Sequence, residues 1–292
     1  MDGSRNLVKD AMHLVIFVGL IVALLGLLTW TGVIKCGIVP GWCNIYWGVM
    51  SFATGGPKVL IVYGDGGLGN PVGGCDAQSC SLREILASPE FLGVHADSTH
   101  IDRVNTGNLL PYHMVIVESA RKIPTKTLHA FIDYYNAGGR LVWTGDAGVE
   151  LGEDDELLYF DERQADTNDH IPIGPWARKL GNEMVSFDHL LSVSYVNNYC
   201  EMVNCLEDKP VHVGNLEPEP SMKHPLIRGI ASSLQLWVFK GQDFAVVETI
   251  PGGITTEAWT LEYGSNLIDS EGKNYGRTNP MIVASGIGER VV

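Results

Sequence analysis

Positive charge is scarce in this chain of 292 residues: 20 lysines and arginines stand against 34 aspartates and glutamates, a net charge of −14. Phosphate affinity needs clustered cations, so this balance excludes a general nucleic-acid-binding role. Charged residues of either sign make up only 18% of the chain and apolar ones 45%, which excludes a disordered chain or a coiled coil. No Asn-x-Ser/Thr sequon occurs, which argues against a surface shaped by N-glycosylation. Neither His-x-Glu nor an Asp-x-Asp-x-Asp-Gly calcium loop is present. Cysteine is missing before residue 36 and then comes as three local pairs: Cys36 with Cys43, Cys75 with Cys80, and Cys200 with Cys205.

The longest absence of charge runs from Ala11 to Ile34. As a helix it spans roughly 36 Å at about 1.5 Å per residue, enough to cross a hydrocarbon core of about 30 Å. Its centre, from Leu14 to Leu28, is apolar on every face, which suits lipid better than a half-buried amphipathic site. Trp30 stands where an interfacial aromatic would. A cleaved signal peptide fits less well, because the apolar region is too long and no small-x-small cleavage site follows it. Arg5 and Lys9 outvote Lys35 and place the N-terminus inside.

The predicted layout is therefore a cytoplasmic stretch 1–10, a transmembrane helix 11–34, a juxtamembrane linker 35–57 and an extracytoplasmic domain 58–292. Cysteines that all follow the anchor, in close pairs with none left over, read as disulfides of an oxidising compartment. Zinc knuckles use shorter spacings, and only the last two pairs approach them. The acidity belongs to the outer domain, whose net charge beyond residue 55 is −15. Gly19, Ala23 and Gly26 share one helix face and would admit close contact with another membrane helix. The expected partners are the membrane itself and other envelope proteins or a second copy. No cofactor or metal is expected.

The outer domain alternates strands with helical patterns. Lys58–Tyr63 and Met114–Glu118 are continuous apolar runs of the kind that central parallel strands show, and Arg140–Thr144 is a third. Ser81–Ala87 predicts a helix with Ser81 as its N-cap, and Pro124–Ala137 another with Leu128, Phe131, Ile132 and Tyr135 on one face. Strand–helix–strand repetition argues for an α/β class with a doubly wound, mostly parallel sheet. Residues 148–182 are polar and acid-rich and read as a surface insertion; calcium is the sharp alternative there. Runs at Glu183–Val196, Gln235–Phe239, Phe244–Ile250 and Met281–Ala284 predict a β-rich C-terminal part with little helix. Val291-Val292 reads as the start of a further strand, as a truncated chain would show.

Four segments carry a resemblance: KVLIVYGDG from Lys58, MVIVESA from Met114, YNAGGRLVWTGDAG from Tyr135, and HPLIRGI from His224. Together they resemble the class I glutamine amidotransferase-like fold, in its non-amidotransferase branch of trehalose-utilisation-protein-like domains. Amidotransferases of that family carry a Cys on a strained turn and a late His-x-Glu. The matching turn here is Thr144-Gly145-Asp146-Ala147-Gly148, without Cys or Ser. His95-x-Asp97 and His100-x-Asp102 precede it, in the wrong order for that triad. The covalent chemistry then lacks its first step.

Gly64-x-Gly66-x-x-Gly69 has dinucleotide spacing, but Pro71 and a Cys pair separate it from the next helix, whose N-terminus a phosphate would need. What remains is a set of strand-end carboxylates, Asp65, Glu118 and Asp146, that a doubly wound sheet would bring towards one crevice. They are the candidate catalytic residues of an envelope hydrolase acting on carbohydrate, the alternative to a binding or scaffold module.

Overall fold

A computed structural model describes residues 3–31, 42, 45, 46, 49, 57–64, 77–88, 94–118, 120–206, 209–219, 224–227, 233–240 and 243–292. The chain forms two compact units, residues 1–57 with 82–96, and residues 58–81 with 97–292.

In the first unit a helix runs from Gly3 to Trp30. Its apolar stretch Met12–Thr29 is long enough to cross a membrane, and none of it is buried within the protein. A helix that is apolar all round suits a nonpolar surround, as an anchor or a signal segment would. Near its end the Thr29 hydroxyl donates to the Leu25 carbonyl at 2.8 Å and accepts the Trp42 indole N–H at 2.9 Å. Trp42 is buried and lies beside Tyr46, with ring centroids 6.2 Å apart.

The second unit is built on a sheet of β1 (Lys58–Tyr63), β2 (His95–His100, of which Asp97–His100 belong to this unit), β3 (Met114–Glu118) and β4 (Arg140–Trp143). The order is β2-β1-β3-β4. β1 and β3 pair in parallel from Val59 with Met114 to Tyr63 with Glu118, and β3 and β4 from Met114 with Arg140 to Val117 with Trp143. Ile61, Val62, Val115 and Val117 are buried, as continuous β-branched runs require. β2 was not foreseen; its sequence His-Ala-Asp-Ser-Thr-His is polar, which an edge position tolerates. Residues 290–292 lie along the other edge. Leu141 N–H donates to the Arg290 carbonyl, and Trp143 N–H to that of Val292.

Between β3 and β4 runs the helix Thr125–Asn136, which buries Leu128, Ala130, Phe131, Tyr134 and Tyr135. Pro124 caps it in extended conformation without a side-chain bond. The Asp155 carboxylate supplies that bond instead, accepting Thr125 N–H at 2.9 and 3.1 Å. Past its C-terminus the Tyr134 ring crosses Gly139, where a Cβ would come within 2.3 Å of it. Only glycine fits there. The earlier helix spans Ala77–Ala87, so Ser81 lies inside it and is not its N-cap.

Residues 148–182 are more than a polar surface stretch. They build β5 (Glu156–Leu157), a helical turn Phe160–Arg163 and β6 (Ala177–Leu180), and β7 (Glu183–Ser186) completes an antiparallel sheet β5-β6-β7. Leu158, Trp176, Ala177 and Arg178 are buried. Trp176, Ala177 and Arg178 are consecutive and follow the acidic run, and so short a buried patch shows no readable period.

The C-terminal part is β-rich: β8 (Val193–Asn198), β9 (Val211–Pro218), β10 (Leu234–Val238), β11 (Ala245–Thr249), β12 (Thr255–Ile268) and β13 (Asn274–Ser285). They form an antiparallel sheet β10-β9-β12-β13 and a pair β11-β8. The run Glu183–Val196, expected as strand, is interrupted by the helix Phe187–Leu191, which ends at Ser192 in the left-handed region (φ 57°). A second helix, Tyr199–Val203, follows β8. β9 and the long β12 were not anticipated. The class is thus mixed α/β, with an apolar N-terminal helix, a parallel four-stranded sheet and an antiparallel β-rich C-terminal region.

Candidate functional site

The sequence proposed three strand-end carboxylates. Asp65 lies outside the described residues. Glu118 closes β3, half-buried and paired in register with Tyr63. Asp146 sits just past β4 and is only 2% exposed. Of the six cysteines, the pair Cys200–Cys205 is bonded, with Cα atoms 4.8 Å apart. Cys36, Cys43 and Cys75 lie outside the described residues, as does the side chain of Cys80.

The turn 144–148 is held from every side. The Thr144 hydroxyl donates to the Val117 carbonyl at 2.9 Å, which ties the turn to the end of β3. The Ala147 carbonyl accepts two indole N–H groups, from Trp143 at 3.0 Å and from Trp176 at 2.8 Å. Gly148 N–H donates to the Ala120 carbonyl, and the Gly148 carbonyl accepts from the Arg178 guanidinium. Gly145 (φ 58°) and Gly148 (φ 70°) adopt the left-handed backbone that the bend requires.

The Asp146 carboxylate is equally committed. Its Oδ2 accepts from Arg121 Nη1 and from Asn198 Nδ2, each at 3.1 Å. The Asn198 amide oxygen accepts in turn from the Tyr195 hydroxyl at 3.1 Å. Arg121 also faces Glu150, with Nε 2.8 Å from Oε1, and Glu201, with Nη2 3.7 Å from Oε1. Burial alone would lower the Arg121 pKa, but Asp146, Tyr195, Glu150 and Glu201 outweigh it and hold the group above its ordinary value. Tyr195 is driven well above the usual phenol range, by burial first and then by Asp146 and Glu201. Asp243 accepts the N–H groups of Cys200 at 2.9 Å and Phe244 at 2.8 Å. It is raised by burial, with Glu201 and Asp146 adding repulsion.

This arrangement can hold and shield charge. Asp146 is the one charged side chain of the turn 144–148, and its carboxylate is paired with Arg121 and bonded by Asn198. Among the described residues no group of three or more His, Cys, Asp and Glu is set to hold a metal ion. His95-x-Asp97 and His100-x-Asp102 go to local contacts. Asp97 accepts the Tyr112 hydroxyl at 2.8 Å, and His100 Nδ1 lies 3.1 Å from Asp102. His224 pairs with Glu289 at 2.8 Å. The glycine pattern beyond Gly64 falls outside the described residues.

Sequence reading missed Arg121, Tyr195, Asn198, Glu201 and Asp243. Arg121 alone had a signal, as the first cation after a strand end.

No known protein-family profile matches this chain, and no curated protein sequence does. Solved structures that resemble it include a ThuA-like protein from Bacteroides uniformis, at 16% identity and a TM-score of 0.48 over 78% of this chain and 77% of that one. Two β-galactosidases are also similar. That of Rahnella sp. R3 has 14% identity and a TM-score of 0.47; that of Bacillus circulans sp. alkalophilus has 12% and 0.43. Each comparison covers 81% of this chain but only 28% of the enzyme.

Proposed function

We propose that the chain is a membrane-anchored extracytoplasmic module whose amidotransferase-like domain is non-catalytic and serves as a binding or scaffold part of a cell-envelope assembly. The observation that carries this reading is the commitment of Asp146, at the turn where a nucleophile would stand. It is buried, paired with Arg121 and bonded by Asn198, on a turn pinned by two indoles. The bare apolar helix supports an anchor. The Cys200–Cys205 disulfide supports an oxidising compartment outside the cytoplasm. With the helix inserted and its N-terminus inside, the domain reaches partners in the envelope or a second copy of itself.

The test is crosslinking of the full chain in its native membrane, with neighbours identified by mass spectrometry, in the wild type and in Asp146→Asn. That variant keeps the shape of the side chain and removes its charge. The same neighbours should be captured at equal yield. Loss of the biological role in a folded Asp146→Asn that still captures its neighbours would return the turn to catalysis and overturn the reading.

A further inference from the structure

We propose that the second unit binds one nonpolar chain, of a free fatty acid or of a lipid, in the cavity beside the end of β4. The cavity measures about 360 Å³, within the range of small-molecule sites. Its walls include Trp143, Trp176, Phe244, Val247, Met281 and Val291, which come from β4, β11, β13, the residues just before β6 and β11, and the segment along the β4 edge.

The chemistry of the lining selects the ligand class. Only three lining side chains carry a polar atom, and all three are spent on the fold. Trp143 and Trp176 donate their indole N–H groups to the Ala147 carbonyl, and the Thr144 hydroxyl donates to the Val117 carbonyl. Every other lining residue is aliphatic, aromatic, proline, methionine or glycine. A sugar or nucleotide placed here would meet backbone groups but no uncommitted polar side chain, too few partners for its many hydroxyls and charges, and each one buried unpaired costs more than its burial returns. A hydrocarbon chain asks for none.

An interior of packed strands normally fills such space with side chains. Here the two indoles are fixed by hydrogen bonds and cannot swing in to close it. Met281 adds an adaptable wall suited to a flexible chain. The cavity shares the 144–148 turn with Asp146 but uses none of its charges, so the inference stands apart from the role of that carboxylate.

Photolabelling tests the site. The full chain in lipid nanodiscs is irradiated with a diazirine-bearing dodecanoic acid, and adducts are mapped by peptide mass spectrometry. Adducts are expected on the peptides that hold Trp143, Phe244 and Met281, and excess unlabelled dodecanoate should suppress them about tenfold, as competition for one site requires. In Ala245→Trp or Val247→Trp, each of which fills the cavity, they should fall by a similar factor. Labelling of Met12–Thr29 should continue in every case and serves as the reference.

A second arm places the diazirine on the acyl chain of the bilayer phosphatidylcholine. Cavity adducts there make a membrane lipid the source; cavity adducts from the free acid alone make a soluble fatty acid the source. Labelled helix with unlabelled cavity peptides in both arms overturns the proposal, as does cavity labelling that unlabelled dodecanoate fails to suppress. Competition is read on the wild type, so the outcome stands even where a filling variant does not fold.

Discussion

Two arginines brace residues 144–155 of this fold, and they are held in opposite ways. Arg178 is 0% exposed, and its guanidinium faces the backbone, donating to the carbonyls of Ile123, Gly148, Glu150 and Pro175 and to the Asp155 carboxylate. Arg121 is 28% exposed and faces three carboxylates, Asp146, Glu150 and Glu201. Burial lowers Arg178 to about 10 against the pull of Asp155, while Arg121 is held above its ordinary value by the acids around it. A buried cation aimed at carbonyls fixes the path of the chain. A half-open cation aimed at carboxylates sets local charge.

The largest effect should follow from removing the first. Arg178→Met leaves four carbonyls without that donor and Asp155 without its cation, a loss of about 3–5 kcal/mol for a broken buried pair. At this chain length that lowers the melting temperature by on the order of 10 °C, read from tryptophan fluorescence of the full chain in nanodiscs. Asp155 also caps the helix Thr125–Asn136 and accepts Gly152 N–H at 2.7 Å. Arg178→Met and Asp155→Asn together should therefore cost less than the sum of the two. Strict additivity would mean that the two side chains act separately and that no common hub exists.

This hub also shows where sequence reading stops. The parallel core was legible because Lys58–Tyr63 and Met114–Glu118 bury every residue but the first and last of each, so a one-dimensional run carries the signal. The segment 148–182 was not, because its structure hangs on one guanidinium whose partners lie as far away in sequence as Ile123. Asp155, read as one acid among many, turned out to be the cap of a helix that starts thirty residues earlier. The same limit applies at the candidate site. Asp146 could be marked by its place after a strand, but Asn198, which shares its charge, lies 52 positions on. No local pattern announces such a partner.

Arg121→Met should cost less, about 1–3 kcal/mol, because the side chain is part-exposed and Asn198 still serves Asp146. Adding Asp146→Asn should recover part of that loss, since the uncompensated charge is then gone. The readout is denaturant unfolding of the three variants against wild type. A cost equal to that of Arg178→Met, or no recovery in the double variant, would break the contrast between the two arginines.

The smallest effect is a pH slope, and its sign is fixed by Asp243. Burial raises this carboxyl above its ordinary value, with repulsion from Glu201 and Asp146, against the N–H bonds of Phe244 and Cys200. The folded state therefore holds the proton more tightly than the unfolded state does. Across the window from the ordinary carboxylate pKa up to the raised one, folding binds protons, so the contribution of Asp243 to stability falls as pH rises and stays low above the window. Asp243→Asn, which keeps an amide oxygen as acceptor, should flatten this component. Glu289 is lowered, chiefly by its bond from His224, and slopes the other way. The difference between wild-type and variant curves isolates Asp243, and a flat or rising difference sinks the argument. Arg121→Met should widen the window, because Asp146 then repels Asp243 without compensation; Arg178→Met should leave it where it is.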